Sequence, residues 1–318
     1  MEWLWLTLGI IAGIALLVLL TSFICFMKVF YSPKRKPIGP DEYEIPEGDI
    51  YEVFREEMMG WMKSVRSMPH EPVSITSHDG LTLHGNYYEY TPGAPMEILF
   101  HGYRGNADRD LCGAVERCFS LGRNALIVNQ RASGPSDGHV ISFGINERRD
   151  CHAWIDFAIR KFGPDVKIMI TGISMGAATV MMAAGDPLPK NVVGVLADCG
   201  YTSAEEIIKK VVREMHLPVA PLYPFIKLGA RIFGGFDLEE NSPLRSMERC
   251  HLPIIFVHGD TDDFVPYDMS VKLHAACVSD KKALITVKGA GHGLAFPVDK
   301  EGYVSRLMEI DREWGQFN

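Results

Sequence analysis

Six short apolar runs, each set apart from the next by a helical pattern or a longer insertion, constrain this chain more than any other feature. They fall at 97–100, 125–128, 166–171, 192–196, 254–257 and 284–287. Runs that are predominantly apolar, rather than alternating with polar residues, suit strands buried on both faces, and helices between them supply the covering layers of a mostly parallel sheet. Two earlier runs, 73–76 and 81–88, flank Asp79-Gly80, a hairpin turn signal, so the sheet is expected to open with an antiparallel pair. Cys151, Trp154, Ile155 and Ala158 recur at helical spacing within 146–162, and Val304, Leu307 and Met308 mark a C-terminal amphipathic helix. The fold class is therefore α/β, a twisted sheet with helices on both faces. In such sheets, reactive groups gather at the carboxyl ends of the strands.

The N-terminus follows a different rule. No charged side chain occurs from Trp3 to Met27, and a helix of that length, at about 1.5 Å per residue, exceeds the ~30 Å hydrocarbon layer of a bilayer. Trp3 and Trp5 at one end and Phe30 and Tyr31 at the other suit the two interfacial belts. A cleaved signal peptide needs a basic start and a small-x-small cleavage site, and neither is present. Residues 3–27 thus read as a single-pass anchor whose partner is the lipid bilayer. The basic residues Lys28, Lys34, Arg35 and Lys36 all follow it, which places the body of the protein on the cytoplasmic side. The expected division is an anchor over 1–31, a juxtamembrane connector over 32–70 and one domain over 71–318. The connector is broken by Pro33, Pro37, Pro40 and Pro46, with a short helix over 49–68.

A net charge of -8 in 318 residues excludes a nucleic-acid binder, which requires clustered positive charge. Seven cysteines without a Cys-x-x-Cys pair give neither a zinc ribbon nor a redox couple, and point to a reducing compartment.

The pattern Gly-x-Ser-x-Gly occurs twice, around Ser136 and around Ser174. A nucleophile elbow needs a strand that turns sharply into a helix. Ser174 has that context, between the run ending at Thr171 and the helical stretch 177–184; Ser136 is preceded by Pro135 and followed by an Asp-Gly turn, so it reads as loop. A serine hydroxyl needs a base and an acid to orient that base. His292, between Gly291 and Gly293, is the base candidate, and the order Ser, Asp, His suits α/β-hydrolases. Asp260, Asp262, Asp263 and Asp198 compete for the acid, and spacing does not separate them. Backbone amides of Tyr103, after the strand 97–100, and of Met175, after the nucleophile, form the expected oxyanion hole. His101 is expected to brace that loop, and Arg104 and Arg131 to serve in structural ion pairs.

His101-Gly102-Tyr103-Arg104-Gly105, Gly172-Ile-Ser174-Met-Gly176, Asp262-x-x-Val-Pro266 and Gly291-His292-Gly293 together resemble the landmarks of the α/β-hydrolase superfamily. The chain is most similar to bacterial, membrane-anchored serine hydrolases of the serine-aminopeptidase-like and esterase-like group. The resemblance implies Asp262 as the acid. Where that group often reads Asp-x-Arg-x-His-Gly-x-Ser, this chain has Asn129-Gln-Arg-Ala-Ser-Gly-Pro-Ser136, which removes no triad member.

The insertion over about 201–250 stands where this fold carries a cap. Thr202, Ser203, Glu205 and Glu206 form a capping-box start, His216-Leu-Pro218 a stop, and 221–235 a second apolar stretch. Leu217, Leu222, Tyr223, Phe225, Ile226 and Phe233 are expected either to line an acyl pocket or to pack against the sheet. The expected activity is hydrolysis of a carboxylic ester or related acyl bond of a small-molecule substrate, with no metal or organic cofactor. A peptidase, an acyltransferase and a non-catalytic tethered scaffold are the alternatives.

Overall fold

The structure, a computed structural model, describes residues 1–34, 39 and 41–315; Arg35, Lys36, Pro37 and Pro40 of the connector lie outside them. The apolar N-terminal run is one helix, α1 (Glu2–Val29), followed by two connector helices, α2 (Asp49–Glu52) and α3 (Arg55–Ser67). The expected helix over 49–68 is thus interrupted at Val53 and Phe54. The body proceeds through β1 (Glu71–Thr76), β2 (Thr82–Tyr88), β3 (Met96–Phe100), α4 (Ala107–Asp110), α5 (Cys112–Ser120) and β4 (Asn124–Val128). Next come α6 (Glu147–Phe162), β5 (Ile168–Ile173), α7 (Met175–Ala184) and β6 (Val192–Asp198). Three helices fill the cap insertion: α8 (Ala204–Glu214), α9 (Val219–Phe233) and α10 (Pro243–Met247). The chain closes with β7 (Ile254–Gly259), α11 (Tyr267–Ala276), β8 (Lys282–Val287), α12 (Ala295–Val298) and α13 (Lys300–Trp314).

Among the described residues eight strands join one sheet in the order β1-β2-β4-β3-β5-β6-β7-β8. Only β2 runs against its neighbours; every other adjacent pair is parallel. The two-residue period of a strand sends alternate side chains to opposite faces. On β7, Ile254 and Phe256 join the core that holds Trp154 of α6 and Val180 and Met181 of α7, while Ile255 and Val257 join Tyr303 and Leu307 of α13. Because both faces are covered, both sets are apolar, and the strand reads as a continuous run.

One side chain breaks that pattern. Glu97, the second residue of β3, is wholly buried and accepts from Arg117, Arg123 and the Thr171 hydroxyl, and Arg123 also reaches Asp311 of α13. Burial alone would raise the Glu97 carboxyl; the two guanidinium groups hold it below the usual range. The network ties α5 and α13 to the sheet, and removal of one partner would leave a buried charge uncompensated, at about 3–5 kcal/mol.

The first turns of α1 expose apolar side chains on every side, whereas Ser22, Cys25 and Phe26 near its end are buried, as is Phe30 just beyond. Phe30 sits edge-on between Phe143 and Phe236, at centroid distances of 5.8 and 5.3 Å. The end of the apolar helix is therefore built into the same core cluster as the cap. All seven cysteines are buried and free.

Candidate active site

The sheet order reverses direction between β3 and β5, which leaves a crevice at their carboxyl ends. Ser174 stands there, directly after β5 and at the start of α7, with φ 56° and ψ -115°. That left-handed conformation is costly for a residue with a side chain, and close packing on both sides enforces it. A Cβ on Gly172 would fall 2.1 Å from the Gly176 carbonyl oxygen, and one on Gly176 would fall 2.0 Å from that of Phe100, so both positions require glycine. The strand and helix can then crowd together and leave the serine side chain projecting from the bend.

His292, in the loop after β8, brings Nε2 to 2.9 Å from Ser174 Oγ and Nδ1 to 2.8 Å from Asp262 Oδ2. An ionised carboxylate only accepts, so Nδ1 carries the proton and Nε2 is left to accept the serine hydroxyl. Asp262 is held in turn. Its Oδ1 accepts from the amides of Phe264 and Val265, at 2.9 and 2.8 Å, and its Oδ2 also accepts from His258 Nε2, at 3.1 Å. Burial by itself would raise the Asp262 carboxyl, but the hydrogen bonds from His258 and His292 prevail and hold it well below the usual carboxylate range.

The competing acids are turned elsewhere. Asp260 accepts from the Gly289 amide, Asp263 is exposed, and Asp198 accepts from the Tyr303 hydroxyl at 3.0 Å. Burial pushes the Asp198 carboxyl up to about 6. The structure therefore brings together Ser174, His292 and Asp262, and leaves Asp198, Asp260 and Asp263 outside the chain of hydrogen bonds.

The loop after β3 passes close to the nucleophile candidate, since a Cβ on Gly102 would lie 3.6 Å from Ser174 Cβ. His101 braces this loop: Nδ1 bonds the Gly102 carbonyl, Nε2 accepts from the Gln130 amide, and the Gln130 side chain donates to the His101 carbonyl. Desolvation lowers the His101 pKa and keeps the ring neutral in that role. Among the described residues no acceptor engages the backbone amides of Tyr103 or Met175. Met175 is the first residue of α7, where amides carry the positive end of the helix dipole.

Two contributors escaped the sequence reading, and a third has another role than the one expected of it. His258, fully buried, is a second imidazole on Asp262; its Nε2 is also 2.8 Å from the Val265 carbonyl, so that nitrogen is a donor, and its Nδ1 lies 2.6 Å from Ser270 Oγ. Tyr51, on α2 of the connector, donates to the His292 carbonyl at 2.9 Å. Among the described residues Arg104 enters no ion pair; it donates to the Lys28 and Tyr31 carbonyls while the Tyr103 hydroxyl donates to that of Val29, so this loop caps the end of α1. Arg131 does act as expected, bridging Asp150 and Asp79. Signals existed only for His258, which stands four residues before Asp262.

Cys199, Asp262 and His292 lie close enough to share a cation, as do His78, Asp79 and Asp150. Neither set suits one. Burial holds the Cys199 thiol protonated, its partners already bond each other, and Arg131 occupies the carboxylates of the second set.

The cap begins as its sequence indicates, with Ser203 Oγ accepting from the Glu206 amide at 3.0 Å. Its apolar residues are placed in a way neither expectation foresaw. Tyr223 and Ile226 are buried in the cluster that contains the end of α1, while Leu217 and Phe233 are exposed.

A sheet of this order with a strand-to-helix serine elbow defines an α/β-hydrolase. The profile of the prolyl oligopeptidase family matches residues 142–309, just over half of the chain, and the protein belongs to that family. It is 28% identical over 214 residues to the uncharacterized protein YqkD of Bacillus subtilis, covering 67% of this chain and 70% of that one. Protein bem46 of Schizosaccharomyces pombe is 24% identical over 225 residues, 68% of each chain. Among solved structures, an esterase from Pyrococcus furiosus superposes with a TM-score of 0.65 at 21% identity, covering 89% of this chain and 98% of that one, a likeness of fold.

Proposed function

We propose that this hydrolase is a serine esterase that works through an acyl-enzyme. Ser174 Oγ attacks the acyl carbonyl as His292 Nε2 takes its proton, and Asp262 holds the imidazole in the tautomer that can do so. The tetrahedral oxyanion is received by the amides of Tyr103 and Met175. His292 returns the proton to the leaving alcohol, and water then repeats the sequence to free the acid. The observation that carries this reading is the unbroken chain of contacts from Ser174 Oγ through His292 to Asp262, at 2.9 and 2.8 Å, on a residue held at positive φ.

The family match also supports a peptidase on the same three side chains. The two readings separate on a panel of p-nitrophenyl acyl esters run beside aminoacyl p-nitroanilides, using the full chain. Ester turnover that exceeds anilide turnover and is absent from S174A supports the esterase; the reverse preference makes the protein a peptidase, and no turnover of either class by folded protein contradicts both. We further propose that α1 is an uncleaved membrane anchor with the body on the cytoplasmic side. Its apolar length and the basic residues that follow it support this. The burial of Phe26 and Phe30 supports retention of the helix, since its removal would open the core around Phe143 and Phe236.

A further inference from the structure

The cap and the anchor touch along a defined line. Gly229 of α9 lies against Ser22 and Phe26, Phe233 against Phe23 and Phe26, and Phe236 against Phe30. These contacts advance in the same direction along both segments, so α9 runs parallel to α1. They are close: a Cβ on Gly229 would fall 2.5 Å from the Ser22 carbonyl oxygen. Val219, at the start of α9, is about 15 Å before Gly229 along a helix rising about 1.5 Å per residue. The leading half of α9 therefore extends back beside the part of α1 that is apolar on every side.

Its composition suits that position. No charged residue occurs from Leu217 to Ile226, and Met215, Leu217, Pro218, Ala220, Pro221 and Pro224 are exposed. The first charges on α9 are Lys227 and Arg231, and the first on α1 after Glu2 is Lys28. Given the pairing of Gly229 with Ser22 and Phe26, Arg231 falls within about one turn of Lys28, near where both helices would cross from hydrocarbon into headgroups, whereas Lys227 lies about 6–12 Å deeper at about 1.5 Å per residue and is paired with Glu239. The backbone fits as well. Of the amides that a helix start leaves open, Pro218 and Pro221 have none, so that those of Val219 and Ala220 remain, which reduces the polar surface presented to lipid.

We propose that the leading half of α9 and the turn before it are embedded in the bilayer beside α1, so that the cap is a second, shallow membrane contact made of lipid-facing apolar side chains. This rests on the reading of α1 as an anchor. Because Met175 shares a core cluster with Ile226 and Phe26, the crevice lies beneath a cap held at the membrane surface, within reach of acyl esters dissolved in lipid.

The test uses the full chain in phosphatidylcholine–phosphatidylglycerol vesicles, with an environment-sensitive NBD label on L217C or A220C, the native thiols being buried. L8C on α1 and E309C on α13 are the references. The expected result is quenching by doxyl-labelled lipid and shielding from aqueous iodide at 217 and 220, as at 8, with the opposite at 309. Lipid quenching at 8 together with iodide quenching at 217 and 220 overturns the embedded cap and leaves the anchor standing. Iodide quenching at 8 overturns the anchor reading and the inference with it. Shielding of 217 and 220 that vanishes on dilution of protein into excess lipid means a second copy covers them, and also overturns the proposal.

Discussion

Gly134–Gly138 and Gly172–Gly176 carry the same five-residue pattern, yet the fold uses their serines in opposite ways. Ser136 is 1% exposed and its hydroxyl is fully committed, donating to the Asn129 carbonyl at 2.7 Å and accepting from the His84 amide at 2.9 Å. It fastens a loop to β2. Ser174 sits at positive φ on a helix start, and among the described residues its hydroxyl meets only the imidazole of His292. A hydroxyl that satisfies two backbone groups is a structural tie, whereas one held in strain beside a base is available for chemistry. The difference arises wholly from what precedes and follows the pattern, a strand and a helix in one case and a proline and a turn in the other.

The largest effect that sharpens this contrast is expected from Ser174→Ala, which lowers kcat for ester hydrolysis by on the order of 10³–10⁶ with the unfolding midpoint almost unchanged. Steady-state kinetics and thermal melts on one preparation check it; comparable turnover by the variant would erase the distinction between the two serines. Asp262→Asn follows, with a loss of on the order of 10³–10⁴ in kcat, because an amide can donate to His292 and stabilise the wrong tautomer. A loss below tenfold would show that Asp262 does not orient the base.

Asp198→Asn probes the rival acid. Burial raises the Asp198 carboxyl to about 6 in the folded chain, above its value of 3.8 when unperturbed. A carboxyl raised on folding contributes stability that is present below the lower value and lost as pH rises through the upper one, so the wild type carries a deficit at pH 7–8. The asparagine variant is expected to be more stable there by as much as about 3 kcal/mol, with the gain gone near pH 4, and to keep ester turnover within a fewfold. Urea unfolding at both pH values measures this; a turnover loss as deep as that of Asp262→Asn would reassign the acid. The smallest effect is that of Ser136→Ala, which leaves the His84 amide unsatisfied and costs about 1–3 kcal/mol of stability with kcat retained. Loss of turnover without loss of stability would make Ser136 more than a tie.

Much of this was legible because it depends on local order. Continuous apolar runs revealed the strands, since a sheet covered on both faces has no polar side to show, and the elbow at Ser174 was marked by its own neighbours. Contacts between distant segments left no such mark. Glu97 lies within a run read as apolar, and only the approach of Arg117, Arg123 and Thr171 makes a buried carboxylate tolerable there. Arg104 suggested an ion pair, yet its partners are carbonyls at the end of a helix that lies more than 70 residues away in sequence. The apolar residues of the cap gave no indication that α1 would be their partner, because a helix long enough to cross a bilayer does not disclose that its last turns are buried in protein. The resemblance, and not the spacing, singled out Asp262; the direction of the side chains, which pairs Asp198 with Tyr303 and Asp262 with His292, favours the same residue.

The central claim is that Ser174 is the nucleophile. Treatment of the full-length protein with a fluorophosphonate, followed by intact-mass measurement and peptide mapping, addresses it most directly. The expected result is one adduct per chain, on the peptide that contains Ser174 and absent from S174A; an adduct on Ser136, or an unmodified mass for a folded and unaltered sample, would contradict it.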